Sequence, residues 1–383
     1  MDEEIAIDQK NREIANRDQE ELWKIAEVFR RHGRIGGVRQ YGSGNVNDTF
    51  LVTLEAAERP HFILQRINPR VFSQPRSIMA NIRLVTEHMA ARLRCRPPVA
   101  DRPWKIPHIL PTREGMDYWI DRAGAYWRAL DFIDNAHTFD AVQATEHAHQ
   151  VGFALGFFHQ LISDIRSDSL ADTLLGFHIT PLYLARYDSV LAAERPRGSP
   201  EVAYCMRFIH ERRALAPLLE EAKERGQLPL RPIHGDPKIN NVMLDRTTGQ
   251  AVSLIDLDTV KPGLIHYDIG DCLRSSCNLA GEETEQWETV RFDPDCCQAI
   301  LRGYCSVAGG SLSPADYDHI HAAIRLIAFE LGVRFFTDYL QGDVYFRVSR
   351  ERHNLQRALV QFKLAESIEA QAREIQAIIE ALR

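Results

Sequence analysis

The sequence predicts an α+β chain of two lobes, a small β-rich one followed by a larger, mainly helical one. Three observations predict it. The first third is β-prone on both sides of a Gly-Ser-Gly turn at 42–44. Apolar residues at helical spacing dominate most of the remaining chain. Among those helices lies a polar loop with short apolar runs beside it, Ile233-His-Gly-Asp-Pro-Lys-Ile-Asn-Asn-Val-Met-Leu-Asp245, and then Leu254-Ile-Asp-Leu-Asp258. A chain of 383 residues is long enough for both lobes, and the division is placed at 1–134 and 135–383.

Residues 1–33 read as a polar helix whose apolar spacing emerges at Leu22, Ile25, Ala26, Val28 and Phe29. Val38–Thr53 is then strand, turn, strand, with Gly42, Ser43 and Gly44 in the turn. Glycines let a backbone approach phosphate oxygens closely, so these three residues are candidates for nucleotide binding; a plain hairpin turn is the alternative. A strand, not a helix, comes next, which disfavours a dinucleotide-binding turn. That strand, His61–Ile67, carries Gln65 and Arg66. Arg66 either supplies the cation for the α- and β-phosphates or faces solvent. A helix near 77–93 buries Met79, Ile82, Val85 and Met89, and Glu87 on it is a candidate partner for Arg66. After a proline-rich stretch at 97–111, strands are expected at 116–121 and 126–132. The backbone at Asp131, Phe132 and Ile133 ends the small lobe and is the candidate edge for an adenine base.

In the larger lobe, helices are expected at 144–163 and 200–225. His147, His149 and His159 lack a carboxylate at fixed spacing and read as surface or core histidines. The polar loop carries the chemistry. Asn241 stands five residues after Asp236, and Asp256 fifteen after Asn241. Kinases use this spacing to hold a catalytic carboxylate and metal ligands around a nucleoside triphosphate. Asp236 would accept the hydrogen bond of an attacking hydroxyl, and Asn241 and Asp256 would offer the oxygen ligands that Mg²⁺ prefers. Asp258 could assist that metal. Asp268 reads as a helix cap that could also bond the loop backbone. The aromatic block 329–346, by pattern alone, reads as core packing, with stacking on a sugar as the alternative. An amphipathic helix near 355–382 closes the sequence.

A net charge of −7 gives no general attraction to nucleic acid or anionic membranes. With 45% hydrophobic and 26% charged residues the composition is that of a globular protein, and no apolar run approaches a membrane span. The acidic start, Met-Asp-Glu-Glu, lacks a signal peptide's apolar core. Seven cysteines without CxxC spacing disfavour zinc and a disulfide framework. A cytoplasmic enzyme with no obligate protein partner is expected.

The loop and Asp256 resemble the aminoglycoside phosphotransferase and choline kinase superfamily, which implies a protein-kinase-like two-lobed fold. Tyr41-Gly-Ser-Gly-Asn-Val-Asn-Asp-Thr-Phe50, Leu64-Gln-Arg-Ile-Asn68, Ile255–Gly263, Tyr267-Asp-Ile-Gly-Asp271 and Arg334–Tyr345 look more narrowly like the N-acetylhexosamine 1-kinases. This resemblance runs in order from about residue 38 to 358. It implies transfer of a phosphoryl group from ATP, with Mg²⁺, to the anomeric hydroxyl of an N-acetylated hexosamine. Asp236 would be the base, Asn241 and Asp256 the metal ligands, and Arg334 and Tyr345 sugar-binding residues. Asn45 stands where that family has His. Lys238 replaces the His of aminoglycoside kinases and matches the protein-kinase Lys that steadies the transferred group. Another small hydroxylated acceptor is the nearest rival reading, and a non-catalytic nucleotide-binding module the next.

Overall fold

The computed structural model describes residues 19–30, 33–42, 46–55, 57–95, 102–193 and 198–383. Much of the helix expected over 1–33, and Ser43, Gly44 and Asn45 of the turn, lie outside the described residues. The chain forms two compact units, residues 1–87 with 106–134, and residues 88–105 with 135–383.

The first unit is an antiparallel sheet. Helix α1 (19–29) precedes β1 (Arg34–Gln40), β2 (Asp48–Glu55) and β3 (His61–Arg66). Then come helix α2 (Pro75–Cys95), of which residues 88–95 are counted with the second unit, and strands β4 (Ile109–Leu110), β5 (Trp119–Ile120) and β6 (Tyr126–Asp131). The order is β1-β2-β3-β6-β4, with β5 also on β6. Alternation decides the faces. Val38, Val52, Phe62, Leu64, Trp127 and Ala129 turn one way and pack against Ile25, Ala26 and Phe29 of α1. The strand expected over 116–121 shrinks to two residues. Thr112 takes both backbone groups of Met116, its N–H on the Thr112 hydroxyl at 3.1 Å, and so ties the start of that run into a turn.

The second unit is mainly helical. It contains β7 (Ala136–His137), α3 (Thr145–Ile162), α4 (Thr180–Ala193), α5 (Pro200–Arg212) and α6 (Leu218–Glu224). Four short strands come next, β8 (Arg231–Ile233), β9 (Val242–Asp245), β10 (Ala251–Leu254) and β11 (Lys261–Gly263). The rest is α7 (Ile265–Ser276), α8 (Pro294–Ala308), α9 (Pro314–Leu340), α10 (His353–Ala370) and α11 (Ala372–Glu380). Strands β10-β9-β7 form one small antiparallel sheet and β11-β8 another.

Two expected helices are broken. That over 200–225 ends at Arg212, passes through a 3₁₀ turn and restarts at Leu218. Pro217 has no N–H to give to the Arg213 carbonyl, so the α-helical ladder cannot run through it. The C-terminal helix breaks at Gln371, whose side chain donates to the Phe292 carbonyl and the Ser367 hydroxyl, both at 2.9 Å. Helices α3 and α8 cross backbone to backbone. A Cβ on Gly152 would strike the Ile300 carbonyl, and one on Gly303 the His149 carbonyl, so only glycine permits this approach.

Candidate active site

The polar loop runs from β8 to β9, and its shape is imposed by side chains distant in sequence. Asp268 is fully buried in the first turn of α7. It does not cap that helix, whose N-cap is Leu264 without a side-chain bond. Its carboxylate instead accepts the backbone N–H groups of His234 at 2.6 Å and Gly235 at 2.7 Å. His159 of α3 holds the same carboxylate at 2.8 Å and meets the Tyr304 hydroxyl of α8 at 2.9 Å. Burial pushes the Asp268 pKa up, but the His159 bond and the loop N–H groups outweigh it and hold the group below its ordinary range. His159, which the sequence leaves as a surface or core residue, is thus the support of the loop's anchor.

Gly235 has φ +89°, and a Cβ there would lie 2.6 Å from the Thr259 carbonyl, so the turn requires glycine. Its own carbonyl faces the Nε2 of buried His178 at 3.0 Å, while the other ring nitrogen lies 3.0 Å from Glu330 of α9. Neither partner has a proton to offer when Glu330 is ionised, so both His178 nitrogens donate. Burial lowers the His178 pKa, yet the Glu330 charge and bond prevail and raise it. Thr180 donates to the second Glu330 oxygen at 2.7 Å. The Thr259 hydroxyl donates to the His234 carbonyl at 2.7 Å.

This framework presents the predicted residues together. Asp236 follows Gly235 and is partly exposed; its Oδ2 receives the Lys238 ammonium at 2.8 Å. Asp236 above all, against the cost of burial and with help from Asp256 and Asp271, raises the Lys238 pKa and keeps the amine charged. Asn241 is buried and donates to the Asp236 carbonyl at 2.7 Å, which fixes its amide plane and leaves its oxygen without a protein donor among the described residues. Asp256 is exposed and left-handed, φ +67° and ψ +58°, where a β-carbon costs energy. The Ile255 N–H reaches the Asn241 carbonyl at 2.9 Å and ties the two segments together. Asp258 is buried.

An amide oxygen and an exposed carboxylate are hard donors that fit Mg²⁺. Among the described residues no cluster of three or more His, Cys, Asp or Glu could hold a metal by itself. Two protein ligands suit a cation that usually takes its remaining ligands from phosphates and water.

In the first unit, Gly42 has φ +74° and open space around a Cβ. Arg66 grips Asp48 with Nε at 2.8 Å and Nη2 at 2.5 Å, and its side chain is half exposed. The candidate pairing of Arg66 with Glu87 does not form: Glu87 bonds Arg83 one helical turn away, at 2.6 Å. Gln65 on the opposite face accepts from Arg128 at 2.9 and 2.8 Å, and Arg128 is 1% exposed. The buried cation of this sheet therefore stands on β6. No motif marks it, because Gln65 and Arg128 meet only through strand register. Phe132 meets Tyr41 and His61 edge to face, Ile133 is buried, and the Asp131 N–H bonds the His108 carbonyl at 2.9 Å.

The 329–346 block divides. Phe329, Val333 and Phe336 of α9 are core. Arg334 turns elsewhere and is ringed by Phe177, Tyr183 and Phe346, whose centroids lie 5.2, 5.0 and 5.5 Å from its guanidinium carbon. It forms no ion pair with any described carboxylate. Phe177 precedes His178, so this cation adjoins the support of the loop. Tyr345 is 45% exposed and meets Phe346 edge to face at 4.8 Å.

The signature described as the phosphotransferase enzyme family (APH) matches residues 37–305. The structure of a microcompartment-associated aminopropanol kinase is similar with a TM-score of 0.62 and 19% identity, over 93% of this chain and 99% of that one. An aminoglycoside phosphotransferase from Alicyclobacillus acidocaldarius gives 0.58 and 18%, over 90% and 91%. An amicoumacin kinase, solved with AMP-PNP and Ca²⁺, gives 0.54 and 13%, over 97% and 96%. At such identities the likeness establishes the fold: mixed α+β, with an antiparallel N-terminal sheet and a helical C-terminal part.

Proposed function

The chain belongs to the phosphotransferase enzyme family, and on that premise we propose that it transfers the γ-phosphoryl group of ATP to the anomeric hydroxyl of an N-acetylhexosamine. The AMP-PNP bound to the amicoumacin kinase supports ATP as donor. The observation that carries the acceptor is Arg334, a cation within three aromatic faces and in no ion pair with a described carboxylate. Desolvation works against its charge, but Tyr183, Tyr345 and the Glu330 and Asp271 carboxylates nearby outweigh it, so the group stays protonated. A fixed positive charge disfavours choline or a polycationic aminoglycoside and suits a neutral ligand with a carbonyl for Arg334 to donate to. Aromatic faces beside it suit the apolar face of a sugar ring.

Asp236 would accept the hydrogen bond of the anomeric hydroxyl, which is more acidic than an ordinary alcohol, and aim it in line with the phosphorus. Lys238 occupies one Asp236 oxygen and leaves the other for that hydroxyl. The same ammonium would steady the charge that develops on the transferred group. Asn241 and Asp256 would hold Mg²⁺, which when bound offsets the negative charge of the phosphates. Every other contribution is positional: Asp268, His178 and Thr259 fix the loop so that little rearrangement is needed at transfer.

Purified protein with Mg-ATP and a panel of N-acetylglucosamine, N-acetylgalactosamine, other sugars, choline and an aminoglycoside tests this by ADP release. Release with an N-acetylhexosamine, abolished by blocking the anomeric hydroxyl, is expected. Release with choline or an aminoglycoside alone would overturn the acceptor and leave the phosphotransferase.

A further inference from the structure

We propose that Asp338 is a positioning residue for the acceptor, holding the segment 344–346 against Arg334; this rests on the reading that Arg334 and Tyr345 contact the acceptor. Asp338 lies one helical turn beyond Arg334 in α9 and is 3% exposed. Past the helix, Gly342 at φ +85° and Asp343 at φ +61° turn the chain back. Three consecutive N–H groups then converge on the Asp338 carboxylate: Val344 at 3.0 Å and Tyr345 at 2.8 Å on Oδ1, Phe346 at 2.9 Å on Oδ2. Fully buried Asn354 adds its Nδ2 to Oδ2 at 2.9 Å and bridges to Asp343 at 2.8 Å. Arg357 secures Asn354 at 3.2 Å and the Arg347 carbonyl at 3.0 Å.

One carboxylate thus sets the backbone of Tyr345 and Phe346. Their side chains do what the acceptor reading needs: Phe346 closes the third aromatic face on Arg334, and Tyr345 stands exposed beside it. Hydrogen bonds to a charged acceptor are the stronger kind, and a row of three N–H groups cannot be matched by a neutral amide. Asp338 itself touches none of the reacting groups. Its effect is to keep two adjacent residues where a ligand would find them.

The test is steady-state kinetics of Asp338→Asn with whichever of N-acetylglucosamine and N-acetylgalactosamine the wild type phosphorylates faster, beside hydrogen exchange of the folded proteins. The amide retains one oxygen and sets its own N–H groups against a backbone donor. KM for the sugar should rise about tenfold, with kcat within about threefold and KM for Mg-ATP unchanged. Amides 344–346 should exchange faster while the middle of α9 stays protected. A merely structural role would lower thermal stability and kcat without that split. Asn354→Ala, which spares the three backbone bonds, should move the sugar KM the same way by less, and it serves if Asp338→Asn does not fold. Unchanged sugar KM or unchanged protection of 344–346 overturns the proposal. Arg334→Ala separates the two readings. If it raises the sugar KM and Asp338→Asn does not, only the positioning role falls. If it does not, or if the wild type accepts neither sugar, the acceptor reading falls and the proposal with it.

Discussion

The loop around Asp236 and the surroundings of Arg334 lie in the same unit and are held by opposite means. At Asp236 almost every polar group of the backbone has a named partner. Asp268 takes two N–H groups, His178 and Thr259 take two carbonyls, and Asn241 takes a third. At Arg334 the guanidinium is bounded by ring faces and has no ion pair among the described residues. Hydrogen bonds fix angles and distances, whereas aromatic faces fix shape and exclude water while leaving donors to spare. Transfer of a phosphoryl group needs the first kind of order and recognition of a neutral ligand the second. Under the proposed function the difference would separate the residues that set turnover, around Asp236, from those that set the choice of acceptor, around Arg334.

Asp236→Asn should show that separation at its largest. Turnover should fall by about 10³-fold or more, with nucleotide binding by calorimetry retained. A variant with near wild-type turnover would remove the loop from the chemistry and dissolve the comparison. Next in size is Asp268→Ala, which strands two buried N–H groups and His159. A loss of about 3–5 kcal/mol is expected by chemical denaturation, and a neutral outcome would show that the loop needs no anchor. The smallest effect is in pH. The His178 pKa is raised in the fold, so the stability it contributes is complete below the ordinary imidazole value, about 6.5, and is lost as pH rises through the raised one. Glu330 and Asp271 are the charges that raise it, and Glu330→Gln removes the larger. The stability gap between wild type and Glu330→Gln should therefore narrow as pH rises from the ordinary imidazole value through the raised one, and a gap that widens would reverse the protonation argued for His178.

Distance along the chain decides how much was legible before the fold was known. Asp236, Lys238, Asn241 and Asp256 lie within one short stretch, where fixed spacing expresses a shared geometry. The first sheet and helix α3 were legible because their apolar period is local. Tertiary partners were not. His178 and, through it, Glu330 reach Gly235 from far along the chain in both directions, and neither carries a motif. Glu87 was a candidate for Arg66, yet Arg83 on its own helix and Asp48 on the neighbouring strand are nearer competitors for the two charges. The broken helix at Pro217 was readable in principle, since the missing N–H is a property of the residue. The row of N–H groups on Asp338 was not, because it exists only once the chain has turned at Gly342.

The close crossing of α3 and α8 has a consequence for anyone improving this protein by conventional stabilisation. Gly152 and Gly303 sit inside helices, where replacement by alanine ordinarily gains about 1 kcal/mol, so a propensity-guided redesign would select both. Tyr304 adjoins Gly303, its hydroxyl meets His159, and His159 meets the carboxylate that carries the loop. Forcing the two helices apart would draw that file of contacts with them. A change made for thermostability at an unremarkable helical glycine would then be read out as lost turnover, because the position supports the loop as well as the helix.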